Sequence, residues 1–342
     1  MRRFKTLTII TLLAIISDTE IIYSQDENNS GNNAAPKAVL VTPVPKAEPI
    51  IPNETVPRAE IVIPKTYPKA IPNLEYTENN EEKSKAILDY ANFVYSQKQW
   101  SIANAYYLKF IEISPNDTST PLAAYRLAET YLKQKNTEDA KKAYLKIVEK
   151  FSESEYFGPA SYRLGSLAYS NENYKDAATF FNTAKKSLEK NSVKLSAAYY
   201  YARSLTEIDN ISQAVLAFEE LSKIEQDNPY REAAILTLAR TFADQKEEEK
   251  SISSFKKLLE ISEREDIQAE ALVKLGLMSN SLGNINEAKK YFSSALSLKE
   301  GDEWKPDAQF HLIKIHYQEK NYQDVIDTYS CLLYTSPSPR DS

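Results

Sequence analysis

From Ser84 onward the apolar and small residues of this chain fall into columns at one constant spacing. Units started at residues 84, 121, 158, 195, 232, 269 and 306 keep a stride of 37. Their third position is alanine in all seven: Ala86, Ala123, Ala160, Ala197, Ala234, Ala271 and Ala308. The twenty-fourth is always aromatic: Tyr107, Tyr144, Phe181, Phe218, Phe255, Phe292 and Tyr329. The eighth is small in six units (Ala91, Ala128, Gly165, Ala202, Ala239, Gly276), with Ile313 the exception. The twentieth is Ala103, Ala140, Ala177, Ala214, Ser251, Ala288 and Val325. Positions 3, 7, 8 and 11 share one helical face, and positions 20, 24 and 27 share a second. Between the faces an asparagine recurs, at Asn136, Asn173, Asn210, Asn284 and Asn321. Asparagine tolerates left-handed backbone, so it is expected to close the first helix of each unit.

Each unit is thus predicted to be a helical hairpin. Small residues at positions 8 and 20 let its two backbones approach, and the aromatic at 24 fills the gap to the next hairpin. One hairpin cannot bury its own apolar face, so the units must stack. The predicted fold class is all-α, a right-handed α-solenoid over residues 81–330 whose seventh unit is incomplete, with energetics dominated by nearest neighbours.

The ends read differently. Residues 1–24 join a basic start (MRRFK), about a dozen apolar residues and a small residue, Ser24, which fits a signal peptide. The apolar run is shorter than the roughly twenty residues a spanning helix needs, so cleavage is preferred to anchoring. No cysteine follows it to take a lipid, and no later segment is long and apolar enough to span a membrane. Residues 25–80 form a disordered, proline-rich tether; nine of the sixteen prolines lie in 36–72. Proline fixes φ and removes a donor, which favours polyproline-II geometry. At about 3.1 Å per residue such a stretch reaches on the order of 100 Å. It is read as a spacer, a ligand for a proline-binding groove, or a linker without a partner. Residues 331–342 (CLLYTSPSPRDS) resemble a translated sequencing adapter and are read as non-native, which makes the rest a fragment of a longer chain. A native helix end stopped by Pro337 is the alternative.

Composition removes several classes of function. Net charge is −6, which argues against nucleic-acid binding. Six scattered glycines make no phosphate loop. Two histidines and one cysteine leave nothing for a Cys/His zinc site. His311 and His316 are five apart, a poor spacing for two ligands on one helical face. No nucleophile–base pair stands at a recognisable spacing. No catalytic residue, metal or cofactor is assigned.

The small residue at position 8, the alanine at 20, the aromatic at 24 and Pro115 at position 32 of the first unit resemble the tetratricopeptide repeat. That resemblance covers residues 84–330. The variant strings AAYRLAETY (123–131) and ASYRLGSLAY (160–169) look like those of exported bacterial envelope proteins. Two such are the periplasmic partner of the Tol–Pal system and the BamD subunit of the outer-membrane β-barrel assembly machine. The resemblance implies a non-catalytic scaffold in the periplasm, or on the periplasmic face of the outer membrane, that holds a protein or peptide partner for envelope assembly. The alternative is the docking arm of a larger protein with a further domain beyond Ser330. An open last hairpin also raises self-association.

The resemblance further implies that first-helix positions 2, 5, 9, 12 and 13 line a concave groove. Carried over, position 5 contributes Tyr125, Tyr162, Tyr199 and Phe310; position 9, Arg203, Arg240 and Lys314; position 12, Tyr95, Tyr169 and Tyr317. These are expected to form an aromatic wall with two neighbouring cations for an acidic group. Packing of the position-5 tyrosines against the adjacent hairpin is the competing reading.

Overall fold

The computed structural model describes residues 80–189 and 192–335; for 329–335 it describes the backbone alone. The expected signal peptide and tether, and residues 336–342, lie outside the described residues. Fourteen helices follow one another: α1 (Asn80–Ser96), α2 (Trp100–Ile113), α3 (Thr120–Lys133), α4 (Thr137–Lys150), α5 (Phe157–Ser170), α6 (Tyr174–Ser187) and α7 (Ser192–Glu207). Then come α8 (Ile211–Ser222), α9 (Arg231–Asp244), α10 (Glu248–Ile261), α11 (Glu265–Ser281), α12 (Ile285–Ser297), α13 (Lys305–Gln318) and α14 (Tyr322–Thr335). No strand occurs among the described residues. Each helix packs on the next in sequence, and the first helices of successive hairpins also touch, as α5 with α7 and α11 with α13. This is an all-helical solenoid of hairpins.

The columns do what their side chains allow. The position-24 rings of hairpins 1 to 6 are sealed from solvent, none more than 1% exposed. Each ring is covered by the position-3 alanine of the following hairpin and, at every joint but that of Phe181, where Tyr201 stands instead, by its position-7 leucine, as Tyr107 is capped by Ala123 and Leu127 and Phe292 by Ala308 and Leu312. Ala86 is the one position-3 alanine that is not fully buried, because no described hairpin precedes it. At Gly165 an added Cβ would lie 2.8 Å from the Phe181 ring, and at Gly276 2.6 Å from the Phe292 ring. In those two hairpins the ring occupies the space that a side chain at position 8 would need.

The turn corrects one expectation. The left-handed residue is not the asparagine but its predecessor at position 15: Lys98, Lys135, Glu172, Asp209, Lys246, Gly283 and Lys320, with φ between 58° and 79°. The position-16 amide reaches back to the first helix, as Asn136 N to Tyr131 O at 2.9 Å, while the position-15 amide closes a shorter bond, Lys135 N to Leu132 O at 2.9 Å. This is a Schellman closure. The asparagines are extended away from αL (Asn136 φ −91°, Asn173 φ −83°) because they start the second helix. The side chains of Asn136 and Asn173 accept from Asp139 N at 3.2 Å and Asp176 N at 3.3 Å, whereas Asn210 and Asn284 hold the same N-cap place without such a bond. An N-cap needs a short acceptor side chain on non-helical backbone, and this demand outranks tolerance of positive φ.

Candidate functional site

The first helices carry the candidate groove residues, and the structure divides them into three groups. Tyr125, Tyr162 and Tyr199 are buried, at 2%, 3% and 6% exposure. Each leans edge-on against the position-24 ring of its own hairpin: Tyr125 on Tyr144 at 5.6 Å, Tyr162 on Phe181 at 5.6 Å and Tyr199 on Phe218 at 6.1 Å. In hairpins 2 and 4 a second ring covers them from position 36, Tyr156 at 5.5 Å and Tyr230 at 4.8 Å. The Tyr162 hydroxyl is bound to Ser196 Oγ at 2.7 Å. Burial raises the Tyr125 and Tyr162 phenols, so both remain neutral hydrogen-bonding groups. These three rings knit hairpins together and offer a partner almost no surface. The continuous aromatic wall is therefore interrupted at position 5.

The second group is half-buried and reaches the surface. Tyr95 meets Trp100 at 5.4 Å and Tyr107 at 6.2 Å. Tyr169 meets Tyr174 at 5.2 Å and Tyr200 at 5.3 Å, and burial pushes its phenol up to about 12. Arg203 lies 3.6 Å from Glu207 and bears on Tyr199 and Tyr169. Arg240 grips Glu270 of the next first helix with two bonds of 2.5 Å. The two arginines expected to clamp an acid together thus each have a carboxylate of their own. Position 2 of hairpin 6 supplies that of Arg240, a neighbour 30 residues away that no local pattern advertises. The third group, Phe310 at 62% exposure, Lys314 and Tyr317 at 63%, stands open on the last hairpin.

The position-6 arginines of hairpins 2 and 3 carried no role in the sequence reading, although both sit in the repeated string Tyr-Arg-Leu. Arg163 is buried and holds Glu129 of the preceding first helix, Nε to Oε1 at 2.8 Å and Nη2 to Oε2 at 3.0 Å. Glu129 also accepts from the hydroxyl of Tyr144. Burial works against the guanidinium charge, but Glu129 prevails and raises the Arg163 pKa. One hairpin earlier, Tyr107 donates to Asn92 Oδ1 at 2.9 Å, and the Arg126 guanidinium lies 5.1 Å over the Tyr95 ring.

No group of three or more His, Cys, Asp or Glu among the described residues is placed to hold a metal ion. His311 stacks on Phe292 at 5.6 Å, and His316 Nδ1 lies 3.5 Å from Asp324. Among the described residues no helix is long and apolar enough to cross a membrane.

Helical hairpins stacked in one file, with small residues between backbones and one ring per joint, define a helical-repeat protein. The repeats are tetratricopeptide repeats: two family models described by that name match residues 125–192 and 269–302. The solenoid is similar to the C-terminal part of a TPR repeat-containing protein from Cytophaga hutchinsonii (TM-score 0.53, 15% identity, 73% of this chain and 96% of that one). It also resembles a chain in the structure of Naa15/Naa10 bound to HypK-THB (TM-score 0.50, 14% identity), covering 76% of this chain and 37% of that one. Both likenesses concern the fold. Comparison with curated proteins gives no match.

Proposed function

We propose that the solenoid is a non-catalytic scaffold that holds a protein or peptide along its first helices, exported to a bacterial cell envelope and serving its assembly or maintenance. The observation that carries the binding reading is the half-buried row on successive first helices. Tyr95, Arg126, Tyr169 and Arg203 are supported from below by buried rings yet keep a face toward solvent. Stiff aromatic and arginine side chains on a rigid scaffold lose little entropy on contact, which is why such residues anchor interfaces. The envelope setting rests on the apolar N-terminal run and on the resemblance of the Tyr-Arg-Leu strings.

The test has two parts. Cell fractionation with mass measurement of the mature N-terminus is expected to find the chain outside the cytoplasm and shortened near Ser24; an intact cytoplasmic chain removes the export reading. Envelope extract is then passed over wild-type protein and over a Tyr95/Tyr169/Arg203 triple-alanine variant. Retention by the wild type and loss by the variant is expected. Equal retention by both removes the first-helix surface as the binding site.

A further inference from the structure

Among the described residues one arginine has no acid. Arg163, Arg203, Arg231, Arg240 and Arg264 each have a carboxylate at 2.8, 3.6, 2.7, 2.5 and 2.6 Å. Arg126 forms no ion pair with any described carboxylate, and its Nη1 is shielded from solvent without a hydrogen-bond partner. The nearest acid along its own helix, Glu129, is occupied by Arg163 and by the Tyr144 hydroxyl.

Hairpins 2 and 3 show what is missing. Both arginines stand at position 6 and reach back to the preceding first helix. There Arg163 finds Glu129 at position 9, whereas Arg126 faces a hairpin whose position 9 is the neutral Asn92, engaged through Oδ1 by Tyr107. The guanidinium is nevertheless held in place. It lies over the Tyr95 ring and against the Tyr107 phenol, contacts that orient it without neutralising it. A charge so held, without a counter-charge from the fold, is ready for a carboxylate from outside.

We propose that Arg126, on its Tyr95 seat between the first helices of hairpins 1 and 2, anchors an acidic side chain of the bound partner. This rests on the partner-binding reading above. The first-helix surface continues on both sides of Arg126, so a chain lying along it presents side chains there, not its end. The carboxylate takes the bidentate place that Glu129 takes on Arg163, and excess salt weakens it.

The full chain is tested against an array of acetylated, amidated peptides, each with one Glu in an apolar and aromatic background, beside Gln twins and Gln twins with a free carboxyl terminus. Wild type is expected to hold the best Glu peptides about tenfold tighter than their twins, in line with one well-placed charged contact. Arg126→Met is expected to erase that preference while keeping the wild-type unfolding midpoint. Asn92→Glu, which supplies an internal acid, is expected to erase it while raising the midpoint. The proposal is overturned if wild type shows no Glu preference, if the preference survives Arg126→Met, or if only the free-carboxyl arm binds. Equal capture of the Glu peptides and of envelope partners by wild type and Arg126→Met would sink the anchor and leave the scaffold standing. Capture of neither peptides nor envelope proteins would sink both.

Discussion

Hairpins 1 and 2 differ from hairpins 3 to 6 by a single oxygen at position 24. Tyr107 and Tyr144 carry a hydroxyl into a sealed joint; Phe181, Phe218, Phe255 and Phe292 do not. A buried hydroxyl needs a partner. In both tyrosine hairpins position 9 supplies it, through Asn92 and Glu129. In the phenylalanine hairpins position 9 is Ser166, Arg203, Arg240 and Leu277, with no ring oxygen to satisfy. One atom in the joint thus decides whether position 9 is tied to the ring; without that atom it is left to other uses, buried as Ser166 or half-exposed as Arg203, Arg240 and Leu277. The residue chosen at position 9 then sets the fate of position 6 in the following hairpin, since Glu129 is available to Arg163 and Asn92 offers Arg126 no charge.

The largest expected break in this contrast is at Glu129. Glu129→Ala strips the buried Arg163 of its counter-charge and Tyr144 of its acceptor, and should lower stability by about 3–5 kcal/mol in urea unfolding. Replacing all three groups together (Glu129→Leu, Arg163→Met, Tyr144→Phe) should restore most of it; a triple variant no better than Glu129→Ala would refute this account. Gly276→Ala comes next. Its Cβ would sit 2.6 Å from the Phe292 ring, and overpacking of that kind costs about 1–3 kcal/mol. Pairing it with Phe292→Leu should return part of the loss, as a shift in thermal midpoint will show.

The rule itself is probed by exchanging ring types. Phe292→Tyr places a hydroxyl opposite Leu277, and a buried unsatisfied hydroxyl costs roughly 1–3 kcal/mol. Adding Leu277→Asn, to copy hairpin 1, should recover at least half; no recovery would show that position 9 does not serve the ring. The smallest effect is one of pH. Burial against Phe292 depresses the His311 pKa, with Asp307 opposing and Lys314 assisting. The unfolded chain therefore binds a proton that the folded chain resists. Its contribution is whole above the unfolded value near 6.5 and is lost as pH falls through the depressed folded value. The unfolding midpoint should drop between about pH 7.5 and 5.5, and His311→Gln should flatten that drop.

The hairpins, their joints and the small residues between backbones were all legible in the chain. Ala123, Gly165 and Phe181 recur at constant spacing because every joint poses the same steric problem. The turn was only half legible: Asn136 marks the right place, but its oxygen caps the next helix while Lys135 takes the left-handed backbone. The candidate site was least legible. Tyr125 and Tyr95 read alike as aromatic first-helix residues, yet Tyr156 covers the first, while the second remains half-exposed under Arg126.

The sequence by itself determined the repeat unit and the residues that seal each joint, because helical periodicity and size are local properties that a constant stride makes visible. Only the tertiary structure decided which tyrosines are hidden and which arginines are already paired. Those outcomes depend on a neighbour some thirty positions away, as Glu270 is from Arg240 and Glu129 from Arg163, and no pattern within one unit specifies it.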